Sequence, residues 1–465
     1  MPPLHLSPEE FRALADRVAM VATDYLASVD DRPIFPATTG PRTHVAFSQP
    51  LAEEGLGAAA FEDLVDVMEH ARAGNGRFFG YVLGSGEPIA ALADFYASVL
   101  NQNVTAWRSA PSAITVERTV IGWLADAIGC HGFSGSLTSG GSSANLMGLA
   151  MAREARAPAN ERGAQRCVVY TSDEAHMSIA KAVAILGIGR ANLRSISVGD
   201  DFRMRTDALE TAIAEDEREG RQPIAIVASS GTINTGAIDP LSEIARIAQA
   251  HHLWLHIDGA YGALAALAVP ERLEGLNQAD SISLDAHKWL YQPLDCSVLL
   301  YRDPEIARST FAYTGDYARS LSEDPTEGFS FFEESIELSR RFRALKLWLS
   351  LRYHGLGQFR EAIREDLRHA QLLARLIDAE PSLERLAPVE LSAVCFRWRG
   401  GPERTLDQRN VAILQHVIRR GRVYLSNANL GGKFALRACI VNHRTTDDDI
   451  DAVVEEVLAA GQRTA

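Results

Sequence analysis

The sequence predicts an α/β protein, with a mainly parallel central sheet in a large domain and a small α+β domain after it. Three observations lead there. From about residue 166 to residue 301, short β-rich runs alternate with helical patterns. That alternation builds a parallel sheet covered by helices. After about residue 340 it gives way to long helical stretches and a few strand-like runs. Ahead of it, the first ~70 residues read as helical. The expected division is an N-terminal helical, dimer-forming segment (1–72), a large α/β domain (73–340) and a small C-terminal domain (341–465).

The first element is "HLSPEEFRALADRVAMVATDYLASV". Ser7 fits an N-cap, Pro8 the first helical position and Glu10 the third residue of a capping box. Phe11, Leu14, Val18, Val21, Tyr25 and Val29 recur at helical spacing. "DDRPIFPATTGP" then reads as a linker. Such a helix, cut off from the α/β region, needs a surface to cover, and a second copy of the chain is the expected one.

The β-like runs are "RCVVYTS", "RSISVGD", "IAIVASS", "LWLHID", "DSISLD" and "CSVLLY". Helical patterns such as "HMSIAKAVAILG" and "LSEIARIAQAHH" lie between them. Further on, "SRRFRALKLWLSLRYHG" and "GQFREAIREDLRHAQLLARLIDA" read as two helices and "LSAVCFRWRG" as a strand. "LDQRNVAILQHVIRRG" reads as a helix, "VYLSNANLGGKFALRACIV" as a strand pair and "TTDDDIDAVVEEV" as the start of the last helix, where acids suit the N-terminus.

Charge and composition exclude some classes. A formal charge of −14 makes non-specific binding to nucleic acid or to an anionic membrane a poor expectation. No apolar run reaches the roughly 20 residues of a membrane span. The N-terminus does not read as a signal peptide. Five scattered cysteines with no CxxC pair suggest reduced thiols and a cytoplasmic protein.

The chemistry concentrates in five stretches. "LDAHKWLYQPLDCS" sets Lys288 among apolar neighbours, where a charged lysine is costly to bury. A desolvated lysine has a lowered pKa and is a good imine-forming nucleophile; a surface-reaching lysine is the plain alternative. "LWLHIDGAYG" ends a β-rich run in Asp258, followed by small residues that let a flat ring approach. Ligands gather at such strand ends, and a carboxylate there suits a protonated ring nitrogen, a turn or N-cap aspartate being the plain alternative. In "LTSGGSSANLMGLAMAR", Ser139 to Ser143 open a helix whose free N–H groups suit an anion. "YTSDEAHMSIAKA" puts His176 at another helix start, where it could stack on a planar cofactor, a core or capping histidine being the plain alternative, and "ASSGTINTGAIDP" puts Thr232 after another strand-like run.

In this order, the stretches resemble the group II pyridoxal-phosphate-dependent amino acid decarboxylases, which include aromatic-L-amino-acid and glutamate decarboxylases. The resemblance runs from "RFFGY" through "TSGGSSANL", "SDEAH", "GTINTGAIDP", "HIDGAYG" and "DAHKW" to "SRRFRALKLW". It implies a fold-type-I homodimer that binds pyridoxal 5′-phosphate (PLP) and an amino acid substrate. It implies that Lys288 is the Schiff-base lysine and that Asp258 partners the pyridinium nitrogen. Ala260 would lie against the ring and His176 would stack on its other face. Gly141 and Ser142 would hold the phosphate, with His287 beside it, and Thr232 would contact the cofactor near its ring. A gapless count makes Tyr317 the loop tyrosine that returns a proton to the substrate carbon, with Tyr313 as competitor.

Two positions depart from the aromatic decarboxylases. They carry Asn where this chain has Asp285; an acid is awkward beside a phosphate, so no phosphate-binding role is expected for that residue. They also carry a threonine-containing stretch where this chain reads "YVLGSGEP", with Gly84 at the matching point. The expected reaction is decarboxylation of an L-amino acid to its amine, with a lean to an aromatic substrate. The alternatives are an acidic or aliphatic substrate, an aldehyde synthase, an aminotransferase and a non-catalytic homologue. Arg437 lies where related glutamate decarboxylases use an arginine on a substrate carboxylate; a structural ion pair is the other reading.

Overall fold

The computed structural model describes residues 4–51, 53–163, 165–313 and 324–463. Its centre is a seven-stranded sheet of β1 (Ser134–Thr138), β2 (Cys167–Ser172), β3 (Leu193–Ile196), β4 (Gln222–Ser229), β5 (Trp254–Asp258), β6 (Ser281–Asp285) and β7 (Ser297–Tyr301). The order is β1-β7-β6-β5-β4-β2-β3. The pairs from β6 through to β3 are parallel, and β7 runs antiparallel to both its neighbours. Strands β2, β5, β6 and β7 are buried along their whole length. Strands covered on both faces read as continuous apolar runs rather than alternating ones.

All six β-like runs are strands of this sheet. Strand β1 was not among them. Its "SGSLT" is made mostly of small residues, with Gly135 pressed against the backbone of Leu299. It pairs with β7 through backbone groups, which leave no side-chain signature.

The small sheet holds β8 (Leu383–Arg385), β9 (Ala393–Trp398), β10 (Ser426–Leu430) and β11 (Lys433–Cys439), in the antiparallel order β10-β11-β9-β8. The helices Glu403–Arg420 and Asp447–Arg463 pack with it around a second apolar core. The two long helical stretches join into Ala344–Ala379, but the backbone leaves helical geometry at Gly355, so two helices meet at a kink as the pattern suggested.

The N-terminal helix Pro8–Ser28 starts with the expected capping box: Glu10 N–H donates to Ser7 Oγ, and Ser7 N–H donates to Glu10. None of its residues is buried. The following segment, read as a linker, is in fact docked. Ile34 is fully buried, its N–H donates to Gly421 O (2.9 Å), and its carbonyl accepts from Ala73 N–H (3.1 Å). Phe79 packs into the core of the small sheet.

Candidate active site

The parallel strands deliver their carboxyl ends to one place. Asp258 ends β5, Ser229 ends β4 and Asp285 ends β6, while the turn after β2 leads to His176. A cavity of about 280 Å³ opens there. Its wall includes Gly141, Ser142, His176, Thr232, Asp258, Ala260, His287 and Lys288, together with Asn145 and Asp285. Eight residues singled out from the sequence therefore share one cavity, at the small end of ligand sites, which start at roughly 300 Å³.

Helix Gly141–Arg156 begins at this cavity with no side-chain cap, so its first amides are free to meet an anion. A Cβ on Gly141 would lie 2.9 Å from Ala260 Cβ and 3.0 Å from Asp285 Oδ2, so a side chain there would fill the space a ligand needs. Opposite, the Asp258 carboxylate accepts from Asn145 Nδ2 (2.9 Å), Ser283 Oγ (3.2 Å) and Ala260 N–H (3.2 Å) and still faces the cavity. A free helix start for a phosphate, a held carboxylate for a ring nitrogen and a lysine at the wall fit PLP.

Lys288 is not left alone in its apolar setting. Its Nζ lies 2.9 Å from Asp285 Oδ2, and its side chain keeps 16% of its exposure. Asp285 also accepts from Ser297 Oγ (2.5 Å) and lies 3.5 Å from His287 Nε2. Burial pushes the Asp285 carboxyl up, but Lys288, His287 and Ser297 outweigh it and hold it below its usual range. The acid that looked out of place in the sequence is thus the partner of the lysine. His287 donates from Nδ1 to Cys296 O (3.0 Å).

His176 caps the helix Met177–Ile185 through Nδ1, which accepts from Ser178 N–H (3.2 Å). Burial pushes its pKa below the usual value, against the pull of Asp258. Thr232 Oγ1 accepts from Ala237 N–H (3.1 Å), which fixes the turn after β4. Gly84 donates its N–H to His287 O (3.0 Å), and a Cβ there would sit 2.6 Å from Lys288 O. Position 84 therefore admits no side chain on this backbone.

Other residues stand elsewhere. Tyr317 lies outside the described residues. Tyr313 is 97% exposed and does not line the cavity. Arg437 is buried but does not line it either; it donates to Asn234 O (3.1 Å) and Ser426 Oγ (3.0 Å), and it forms no ion pair with a carboxylate among the described residues. The sequence reading assigned no role to Asn145, Ser178 or His256. Two signals were available: Asn145 follows Gly141 by one helical turn, and His256 precedes Asp258 by the two residues that share a strand face.

Residues 61–399 match the pyridoxal-dependent decarboxylase conserved domain. The chain is 32% identical to the aromatic-L-amino-acid decarboxylase of Bacillus atrophaeus over 99% of its own length and 98% of that protein. Its fold superposes on Oryza sativa TDC with PLP and tryptamine with a TM-score of 0.93, at 25% identity, over 100% of this chain and 99% of that one. It also superposes on Rhodiola rosea 4-hydroxyphenylacetaldehyde synthase with a TM-score of 0.90, at 26% identity, over 98% and 99%. The chain belongs to the pyridoxal-dependent decarboxylase family, with the fold-type-I architecture. It is a PLP-dependent carboxy-lyase that decarboxylates an amino acid.

Proposed function

We propose that the substrate is an aromatic L-amino acid, released as its amine and CO₂. The observation that carries the reading is the meeting of Lys288, Asp258, His176 and the uncapped Gly141 helix in one cavity. The aromatic choice is supported by the Bacillus relative and by the rice protein that holds tryptamine. Acidic and aliphatic amino acids are the competing substrates.

Bound PLP supplies an electron sink for the pair left on the substrate carbon when CO₂ departs. This chain's residues do the rest. Lys288 would bond the cofactor through its amine, and Asp285 would hold its ammonium whenever the lysine is free. The first amides of the Gly141 helix, with Ser142, take the phosphate, and His287 lies beside it. Asp258 keeps a proton on the ring nitrogen by a charge-assisted hydrogen bond. His176 would cover one ring face and Ala260 the other, which would hold the ring flat and help set which bond at the substrate carbon breaks. Thr232 contacts the cofactor near the ring. Tyr317 is the residue we assign to return a proton to the substrate carbon.

The same reading makes the enzyme a homodimer. The helices Pro8–Ser28 and Pro88–Leu100 meet at Phe11 and Phe95, whose centroids lie 6.3 Å apart. They leave Met20 (58%), Leu92 (64%) and Tyr96 (56%) exposed. Apolar surface of this kind fits a second copy, with 1–72 as the dimer-forming segment. A cytoplasmic location is supported by five buried free cysteines. Among the described residues, no helix is long and apolar enough to cross a membrane.

The test is a screen of the twenty amino acids for CO₂ and amine. Release from Phe, Tyr or Trp, or from several of them, is expected. Release from Glu or Asp with none from the aromatic set would overturn the substrate assignment.

A further inference from the structure

A buried chain of hydrogen bonds runs behind the cavity, and the chemistry of its members fixes its direction. Trp254 Nε1–H can only donate, and it donates to Ser281 Oγ (2.9 Å). Ser281 Oγ lies 2.8 Å from His256 Nδ1, and His256 Nε2 lies 2.9 Å from Asn145 Oδ1. Asn145 Nδ2 reaches both Asp258 Oδ2 and Ser178 Oγ, each at 2.9 Å. Ser178 Oγ lies 2.8 Å from His176 Nδ1.

The assignment follows from both ends. A carboxylate accepts, so the NH₂ of Asn145 must face Asp258, and its oxygen must face His256. His256 therefore carries its proton on Nε2. Burial pushes its pKa down to about 4, so the ring is neutral and Nδ1 is left to accept the Ser281 hydroxyl proton. On the other branch, the amide gives its second proton to Ser178, whose own hydroxyl proton then goes to His176 Nδ1. The Ser178 backbone N–H points at the same nitrogen, and it too can only donate. His176 Nδ1 is thus an acceptor twice over.

We propose that His256 is a positioning residue for the decarboxylation: by orienting the amide of Asn145 it sets the carboxylate of Asp258 and holds His176 as the Nε2–H tautomer facing the cavity. The ring takes up the space beside Gly148. A Cβ there would lie 2.6 Å from the His256 ring. The consequence for chemistry is that His176 offers a proton donor, not an acceptor, to whatever lies in the cavity. It can hold a carboxylate or give up a proton, but it cannot take one from a substrate without first losing its own.

The inference rests on the reading of Asp258 and His176 as cofactor-facing groups. Borohydride reduction of the wild-type holoenzyme tests that reading separately, by locating the pyridoxyl group on Lys288. Neutron diffraction from the deuterated holoenzyme tests the inference itself. Deuterium on Nε2 of His176 and none on Nδ1 is expected; deuterium on Nδ1 overturns the proposal even if Lys288 carries the cofactor. Kinetics supply the second arm. His256→Leu leaves the Asn145 oxygen unpaired and should lower kcat about tenfold while KM changes less than about twofold and Lys288 still binds the cofactor. His256→Gln keeps a donor at the same place and should recover most of the loss. Unchanged kcat in His256→Leu, or equal losses in the Leu and Gln variants, would reject the positioning role.

Discussion

Two lysines lie in the interior of this protein, and each faces an aspartate. Lys288 meets Asp285 at 2.9 Å, and Lys346 meets Asp94 at 2.8 Å. The ion pairs are nearly the same length, but the surroundings are not. Lys346 is fully buried and also donates to Pro293 O (2.9 Å), so its ammonium is held from two sides. Lys288 lines a cavity, and its only ion-pair partner among the described residues also borders the anion-ready start of the Gly141 helix. A lysine held on two sides is a structural strut. One held on one side, beside open space, can be released to react. The contrast separates structural from reactive lysine better than burial does, since the more buried of the two is the one with no access to a ligand.

The largest expected effect breaks the pair of lysines apart. Lys288→Ala should reduce turnover by more than about a thousandfold, because it removes the covalent attachment point. The variant should unfold at nearly the wild-type temperature, and borohydride should fix no pyridoxyl group to it. Retained covalent labelling, located on Lys346 or Lys181, would erase the distinction.

Lys346→Met should do the reverse. Removing one partner from a buried ion pair is costly, although Asp94 keeps Arg341 at 3.5 Å and some exposure. A loss of about 2 kcal/mol in unfolding free energy is expected, with kcat changed by less than about threefold. Denaturant unfolding and steady-state assays read the two quantities. If kcat fell as far as stability, the strut would have to act on the site through Pro293 and the loop behind Lys288.

How legible these regions were in the sequence follows from the same physics. Lys288, Asp258 and His176 could be read because each sits at the end of a recognisable run, and strand ends in this fold converge. The six β-rich runs carried their own signal in Val, Ile and Leu. Strand β1 did not, because its fit depends on Gly135 lying against β7 rather than on β-forming side chains. The antiparallel direction of β7 left no trace either, since an apolar run reads the same both ways. The Asp285–Lys288 pair was close at hand, three residues apart, yet the acid looked wrong beside a phosphate, and only the geometry shows what it holds. His256, Asn145 and Ser178 were hardest: they come from three elements, and nothing local distinguishes a core histidine from one that orients an amide behind the site. The N-terminal segment was legible as helices but not as a docked strap, because its anchor, Gly421, lies almost four hundred residues away.

A smaller effect sharpens the comparison at the aspartates. Asp285→Asn takes the negative charge from beside the anion-binding helix start and frees the ammonium of Lys288. Both changes favour a phosphate-bearing aldehyde, so the apoenzyme should bind PLP about tenfold more tightly, a gain of roughly 1.4 kcal/mol. Equilibrium titration of apoenzyme measures it. Weaker binding would mean that Asp285 is part of the cradle rather than a restraint on the lysine. Asp94→Asn, the matching change at the strut, should leave PLP affinity where it is.

The smallest expected effect lies in what is made rather than how fast. Once Lys288 and Asp258 have done their part, a proton must reach the substrate carbon. Tyr317 is the residue assigned to this step, and Tyr313 stands close to it in sequence with its side chain exposed. Phe at either position keeps the ring and removes the hydroxyl. Tyr317→Phe should still bind PLP and release CO₂, but the carbon left behind would wait longer for its proton. Oxygen can then take the electron pair, and hydrolysis gives aldehyde, ammonia and hydrogen peroxide in place of the amine. The amine-to-aldehyde ratio in wild type, Tyr317→Phe and Tyr313→Phe, with peroxide as the balancing product, decides the matter. A shift in Tyr317→Phe alone supports the assignment, and a shift in Tyr313→Phe alone transfers it. If neither variant shifts the ratio, the donor is elsewhere, and the Nε2–H of His176 becomes the first group to test.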